Sequence, residues 1–274
     1  MSIDVKGLSY SYNPGTSLEK SALENISMSI GRGEFVVIGG EIGSGKSTLI
    51  RHFNGLLKPS SGKVTVEGMP AHEKHVKAKV GILFQFPQNQ LFGKTVYEDV
   101  AFGPSNFGAR GEELEERVIK ALELVGVREE LYYASPFSLS GGEMRLVAIA
   151  GVLAMRPDYL VLDEPLAGLD PENKNSLIRI LKDLHSQGTS VIIVSHRTFD
   201  LLPLADKVFW MEDGRISFEG SPDDYISSAS PQLTGITSLM KELRQRGIDV
   251  RDDIFTIEDA FNEISRVQRE KVVH

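Results

Sequence analysis

The residues best suited to chemistry lie in ten consecutive positions, GGEIGSGKST (39–48). Gly40, Gly45, Lys46 and Ser47 fit the spacing G-x4-G-K-[ST], which cradles phosphate when it joins a strand to a helix. That context is present: EFVVIGG (34–40) reads as a compact apolar strand, and STLIRHFNGLL as a helix stopped near Asn54-Gly55. Glycines let backbone N–H groups turn inward around phosphate oxygens, a lysine reaches the β and γ phosphates, and the next hydroxyl suits Mg²⁺. The nucleotide-binding set is therefore Gly40, Glu41, Ile42, Gly43, Ser44, Gly45, Lys46, Ser47 and Thr48. A glycine turn before a helix is the plainer reading, and the complete motif in its required context argues against it.

Three further apolar runs end in polar groups. Gln85 closes AKVGILFQ (78–85), Asp163 and Glu164 close YLVLDEP (159–165), and His196 closes TSVIIVSH (189–196). Open parallel sheets bind ligands beyond the carboxyl ends of their strands, so these groups belong at the same edge as the phosphate loop. In phosphoryl transfer, positioning and charge neutralisation supply most of the acceleration. Asp163 is then expected to hold Mg²⁺ with Ser47, Glu164 to orient or deprotonate the attacking water, and Gln85 to sense metal and water. His196 is expected near the γ-phosphate, steadying the water and Glu164, with Lys46 neutralising charge.

A second glycine corner stands at SLSGGEMRLVAIAGVLAM (138–155). Gly141-Gly142 opens a helical pattern with Leu146, Ile149, Ala150 and Leu153 on one face, and a helix N-terminus is a ready anion site. One chain with one phosphate loop and one carboxylate pair has a use for a second anion site if that site closes over a nucleotide held by another chain. A simple helix cap is the alternative.

These residues need a frame. Apolar strands alternating with helices argue for an α/β fold with a parallel-sheet core. IDVKGLSYSY and ENISMSI, around the turn-rich NPGTS, add an antiparallel β portion, with GKVTVEG (62–68) a further short strand. Residues from about 93 to 155 read as a helical insert, including GEELEERVIKALELVGV with its acidic first turn. PENKNSLIRILKDLHSQG reads as a helix with Pro171 in its first turn, and KVFWMEDGRISFEG as a hairpin turning at Asp213-Gly214. The texture changes after Ser221-Pro222, which predicts one domain over 1–222 and a small helical extension over 223–274. Helices are expected at about 233–246 and 257–269, the second capped by Thr256 with Asp259.

The chain has 274 residues, 41% hydrophobic and 25% charged, an ordinary globular balance. A net charge of −8 argues against a general nucleic-acid binder. The absence of cysteine excludes disulfides and thiolate metal sites. No signal-peptide pattern is visible at the N-terminus, and no apolar run is long enough to span a bilayer. Any membrane role must come through a partner.

Taken together, the motifs resemble an ATP-binding cassette (ABC) ATPase. They are the Walker A loop GEIGSGKS, the Q-loop Gln85, the signature LSGGE, the Walker B strand YLVLDE, the D-loop AGLD (167–170) and the switch histidine His196, in the family's order over residues 1–220. The resemblance implies a P-loop NTPase cassette that forms a sandwich dimer. Each ATP then lies between one Walker A loop and the opposite Ser140, Gly141, Gly142 and Glu143. It also assigns Tyr12 to adenine stacking, against the alternative that Tyr12 packs in its sheet. YSYNPGTSLEKSALENISMSI and FQFPQNQLFGKTVYEDVAFGPSNFG are similar to the energy-coupling factor (ECF) importer ATPases, most like the second ATPase of the pair. The resemblance thus implies ATP and Mg²⁺ as cofactors and a second ECF-type ATPase, identical or related, as partner. It further implies a transmembrane coupling protein, a substrate-binding membrane protein that takes up a vitamin or metal micronutrient, and a place on the cytoplasmic face of the membrane.

In that family the extension helps join the ATPases, and the Phe84, Phe86 and Phe92 region lies near the groove that receives the membrane partner. Part of this aromatic cluster is expected to be exposed. The chain departs from the family at Glu143, where glutamine is usual, at Leu146, where a basic residue is common, at Leu166 in place of threonine, and at Glu41 within the loop. Three soluble alternatives fit less well. A DNA-repair ABC machine needs a long coiled coil between loop and signature, and a ribosome-associated one needs two cassettes. An iron–sulfur assembly ATPase is opposed by the ECF-like stretches.

Overall fold

The structure is a computed structural model that describes residues 1–196, 198, 201–228, 235–251, 254 and 257–272. In chain order its elements are β1 (Ser2–Tyr12), β2 (Lys20–Gly31), β3 (Phe35–Gly40), α1 (Lys46–Phe53), β4 (Ser61–Val66), β5 (Met69–Pro70), α2 (Lys74–Lys79) and β6 (Val80–Leu83). There follow α3 (Val96–Asn106), α4 (Gly111–Leu124), α5 (Gly141–Leu153), β7 (Tyr159–Asp163), α6 (Pro171–Ser186) and β8 (Ser190–Ser195). The chain continues through β9 (Lys207–Glu212), β10 (Arg215–Gly220), α7 (Pro222–Ser227), α8 (Gly235–Gln245) and α9 (Ile257–Val272).

A six-stranded sheet, ordered β10-β9-β3-β8-β7-β6, forms the middle layer and is parallel from β9 to β6. Its central strands are apolar throughout because both faces are covered. Alternate residues serve different cores. Phe35, Val37, Leu160, Leu162, Val191 and Ile193 face α3, α4, α5 and α6. Val36, Ile38, Val161, Ile192 and Val194 face α1 and the antiparallel sheet β2-β1-β4-β5. Each phosphate-edge loop thus springs from a strand clamped on both sides.

The hairpin β9–β10 turns at Asp213 (φ 45°) and Gly214 (φ 75°), the positive-φ pair that a two-residue turn requires. Two features depart from the sequence expectation. The run 78–85 is not all strand: Ala78 and Lys79 end α2, the strand stops at Leu83, and Gln85 lies two residues beyond it. Ser221-Pro222, where the texture changes, opens a helix that the sequence pattern does not announce. Ser221 and Asp224 form a reciprocal cap, and Tyr225 and Ile226 pack on Trp210. Helix α7 therefore packs on the β9–β10 hairpin. The extension has its own small core of Met240, Val250, Ile254, Ala260 and Val267. Thr256, read as a helix cap, lies outside the described residues.

Candidate active site

The phosphate loop is glycine-bound by its surroundings. Gly40 has φ 149°, and a Cβ there would stand 2.4 Å from the Met211 carbonyl oxygen. Gly45 has φ 100°, and its Cβ would meet the Ala22 carbonyl at 2.5 Å. Backbone on β9 and β2 cannot give way, so the loop lies flat against both strands. Gly43 (φ 90°) and the exposed Glu41 and Ile42 form the outer rim, and Ser44 is buried.

Lys46 is the first residue of α1 and is 7% exposed. Its Nζ donates to the Gly40 and Glu41 carbonyls, both at 2.7 Å, and to Ser44 Oγ at 3.3 Å. Burial pulls its pKa below the usual lysine value, opposed by the charges of Glu164, Asp163 and Glu41. The loop thus holds a desolvated cation at the start of a helix, a match for phosphate.

Asp163 ends β7 with 4% exposure. Burial pushes its carboxyl up, and Glu164 adds to this, while hydrogen bonding from Ser47 and the charges of Lys46 and Arg51 pull it down. A buried carboxylate facing a hydroxyl is the hard oxygen pair that Mg²⁺ takes. Among the described residues no group of three or more His, Cys, Asp or Glu side chains could hold a metal. The pair therefore fits a cation that draws its other ligands from phosphate and water.

Glu164 follows in the left-handed region, with φ 51°, where a non-glycine residue is uncommon. Its N–H donates to the Val194 carbonyl at 2.8 Å. Its Oε1 accepts from the His196 backbone N–H at 2.8 Å and meets His196 Nδ1 at 2.6 Å; its Oε2 accepts from Ser195 Oγ at 3.0 Å. With its proton on Nδ1, the His196 ring donates in this contact. The carboxylate is thereby tied to the end of β8. Ser195 was not among the sequence-selected residues. Its signal was a polar residue at the end of an apolar strand, immediately before His196.

Tyr12 ends β1 with its hydroxyl 3.1 Å from Thr48 Oγ1 and its ring edge-on to Tyr10. It lines a cleft of about 270 Å³ with Lys20, Gly43, Gly45, Lys46 and Ser47, so an aromatic face borders the phosphate loop. Gln85 reaches the same sheet edge, is exposed, and joins neither the Lys46 nor the Glu164 network among the described residues.

The signature corner is built differently. Ser140 caps α5, accepting from Glu143 N at 3.3 Å, while Glu143 Oε2 takes the Ser140 N–H at 2.9 Å and its hydroxyl at 2.8 Å. These bonds, led by the Ser140 N–H, hold the Glu143 carboxyl below its ordinary range, with Arg128 at 3.3 Å adding to them. A Cβ at Gly141 or Gly142 would meet nothing within 4 Å. The burial of α5 falls on Val147, Ala148, Ile149, Ala150, Val152 and Leu153, with Leu146 only partly covered. Sequence reading also passed over Arg145. Its Nη1 donates to the Pro165 carbonyl at 3.2 Å and to the Ala167 carbonyl.

The sequence model of the ABC transporter family matches residues 23–167. A putative ABC transporter ATP-binding protein of Methanosarcina acetivorans is 51% identical, over 98% of this chain and 95% of its own length. The energy-coupling factor transporter ATP-binding protein EcfA2 of Caldanaerobacter subterraneus is 46% identical, over 98% of each. The chain belongs to the ABC transporter ATPase family. Solved structures agree. The protein cbiO1 from Clostridium perfringens, described as part of the ABC transporter complex cbiONQ, matches with a TM-score of 0.73 at 37% identity, over 89% of this chain and 94% of its own. The dimeric cassette MJ0796 bound to ADP and Pi matches with a TM-score of 0.73 at 28% identity, over 80% and 98%. This ABC ATPase thus has the cassette fold and the ATP-hydrolysing activity of its family. No helix among its described residues is long and apolar enough to cross a membrane.

Proposed function

We propose that this ABC ATPase energises an ECF-type importer of a vitamin or metal micronutrient from the cytoplasmic face of the membrane, with each ATP shared between two ATPase chains. One observation carries the reading. Gly141 and Gly142 have ordinary φ values and open space where a side chain would go, yet glycine in a helix is less favourable than alanine by about 1 kcal/mol. Nothing among the described residues asks for glycine there. A ligand phosphate brought close to the helix end by another chain does.

In the shared site the loop Gly40–Thr48 grips the phosphates, Tyr12 stacks on the adenine, and Lys46 turns from the loop carbonyls toward the terminal phosphate. Ser47 and Asp163 would hold Mg²⁺, which supplies charge neutralisation between the phosphates, with Gln85 completing its surroundings. Glu164, locked by Ser195 and His196, orients the water and accepts its proton. The partner's Ser140–Glu143 corner closes over the far side.

The names of the relatives support the remaining assignments: an ECF ATPase of the same or a related kind as partner, and membrane components of the kind implied by the cbiONQ complex. Phe86 and Phe92 are 57% and 59% exposed, and Phe92 packs edge-on against Phe102, itself 51% exposed. That aromatic surface suits a coupling helix from the membrane subunit. Leu239 and Phe261 are exposed on the extension beyond about residue 223, which suits contact between ATPases.

The test is a tagged Glu164→Gln chain drawn from detergent-solubilised native membranes. It is expected to bring down an ATPase and membrane proteins, retain ATP and turn over at least about 100-fold more slowly, the loss typical of a missing general base. Recovery of nucleic acid without membrane protein, or turnover close to the wild-type rate, overturns the proposal.

A further inference from the structure

Arg145 stands on α5 five residues beyond the Ser140 corner and is half-buried. Its guanidinium makes no ion pair with a carboxylate among the described residues, and burial alone draws its pKa down. Both of its hydrogen bonds go to backbone carbonyls, those of Pro165 and Ala167. These carbonyls belong to the segment that leaves Glu164. It is a run of tight turns, with Ala167 N bonded to Glu164 O at 3.2 Å, Leu169 N to Leu166 O at 3.4 Å, and Gly168 at φ 74°. The segment ends at Asp170, which caps α6 through Glu172 N and Asn173 N, both at 3.0 Å. Leu146 and Leu166, the two apolar departures from the family pattern, pack on the same core beside this contact.

A desolvated cation holding two carbonyls is a directional tie, and moving it by one bond length leaves a half-buried charge without acceptors. We infer that Arg145 is a positioning residue linking the signature helix to the Glu164 segment of the same chain, so that phosphate at this chain's signature corner sets the geometry of its own catalytic carboxylate. The inference rests on the shared-nucleotide reading above. In a pair of chains it makes each ATP report to the opposite hydrolytic site, which is positive coupling between the two sites.

The test compares Arg145→Met and Arg145→Lys with wild type in the paired ATPase assembly, reading ATP affinity of the lone chain, kcat and the Hill coefficient. In Arg145→Met, own-loop affinity is expected to stay within about twofold while kcat falls about tenfold and the Hill coefficient drops toward one, a loss within the usual span of inter-site coupling. Arg145→Lys, which keeps a charged donor, restores the cooperativity. Wild-type cooperativity and kcat in Arg145→Met overturn the inference. So does a joint fall of affinity, kcat and melting temperature that lysine fails to rescue, which marks a structural role. A wild type that neither pairs nor cooperates removes the shared-nucleotide reading itself, whereas a cooperative wild type with an indifferent Arg145→Met removes this inference alone.

Discussion

The molecule has two glycine corners at helix N-termini, and they are opposites in construction. The base of the phosphate loop is packed against the fold: Gly40 and Gly45 are forced by backbone neighbours on β9 and β2, and its lysine is buried. The Ser140–Glu143 corner has open space where a side chain at either glycine would go, and its one carboxylate is folded back into a helix cap. The first is finished within the chain. The second is a surface whose residue choice makes sense once another chain's phosphate is present.

Substitutions can break this contrast. The largest effect is expected at Gly45→Ala, where positive φ and a Cβ 2.5 Å from the Ala22 carbonyl should destabilise the fold by about 1–3 kcal/mol and abolish ATP binding. Melting curves with and without ATP check both. Gly142→Ala is expected to do the reverse: unchanged or higher stability, by up to about 1 kcal/mol, unchanged ATP affinity of the lone chain, and turnover of the paired form about tenfold lower from the blocked anion site. A Gly142→Ala chain that loses stability as Gly45→Ala does would erase the distinction.

Asp163 sharpens the comparison through pH. Its folded pKa is raised by burial, so its favourable contribution is present below the unfolded carboxyl value and is lost as pH rises through the folded one. Asp163→Asn is therefore expected to melt higher than wild type at neutral pH, with the gap closing as the solution is acidified through the carboxylate range. Its Mg²⁺-dependent turnover is lost. Melting temperatures across pH check the sign. The smallest effect is expected at Glu143→Gln. The amide still accepts from Ser140, so stability shifts by less than about 1 kcal/mol, while removal of the charge beside the partner's phosphate lowers the KM for ATP by about two- to fivefold.

Much of this was legible before any coordinates, and unevenly so. The phosphate loop, the carboxylate pair and the strand-end histidine were readable because each is a local pattern: a polar group at the end of an apolar run must emerge at the sheet edge. Gln85 shows the limit, since periodicity ran the strand two residues too far into a loop. Helix α7 was missed because six residues give too short a period, and its evidence is tertiary, in the packing of Tyr225 on Trp210 and Phe218.

The sequence by itself determined the chemistry: which side chains are available, and in what order along the chain the strand ends deliver them. Tertiary structure decided what binds each group in place. Ser195 and His196 hold Glu164 through bonds that span 31 and 32 positions of chain. Arg145 reaches the Glu164 segment across 20 positions or more. Met211 and Ala22 are what make Gly40 and Gly45 irreplaceable. The physical reason is range. A hydrogen bond or a steric contact acts over a few ångströms of space, whereas sequence patterns report neighbours along the chain, and the parallel sheet brings segments more than a hundred residues apart into one edge.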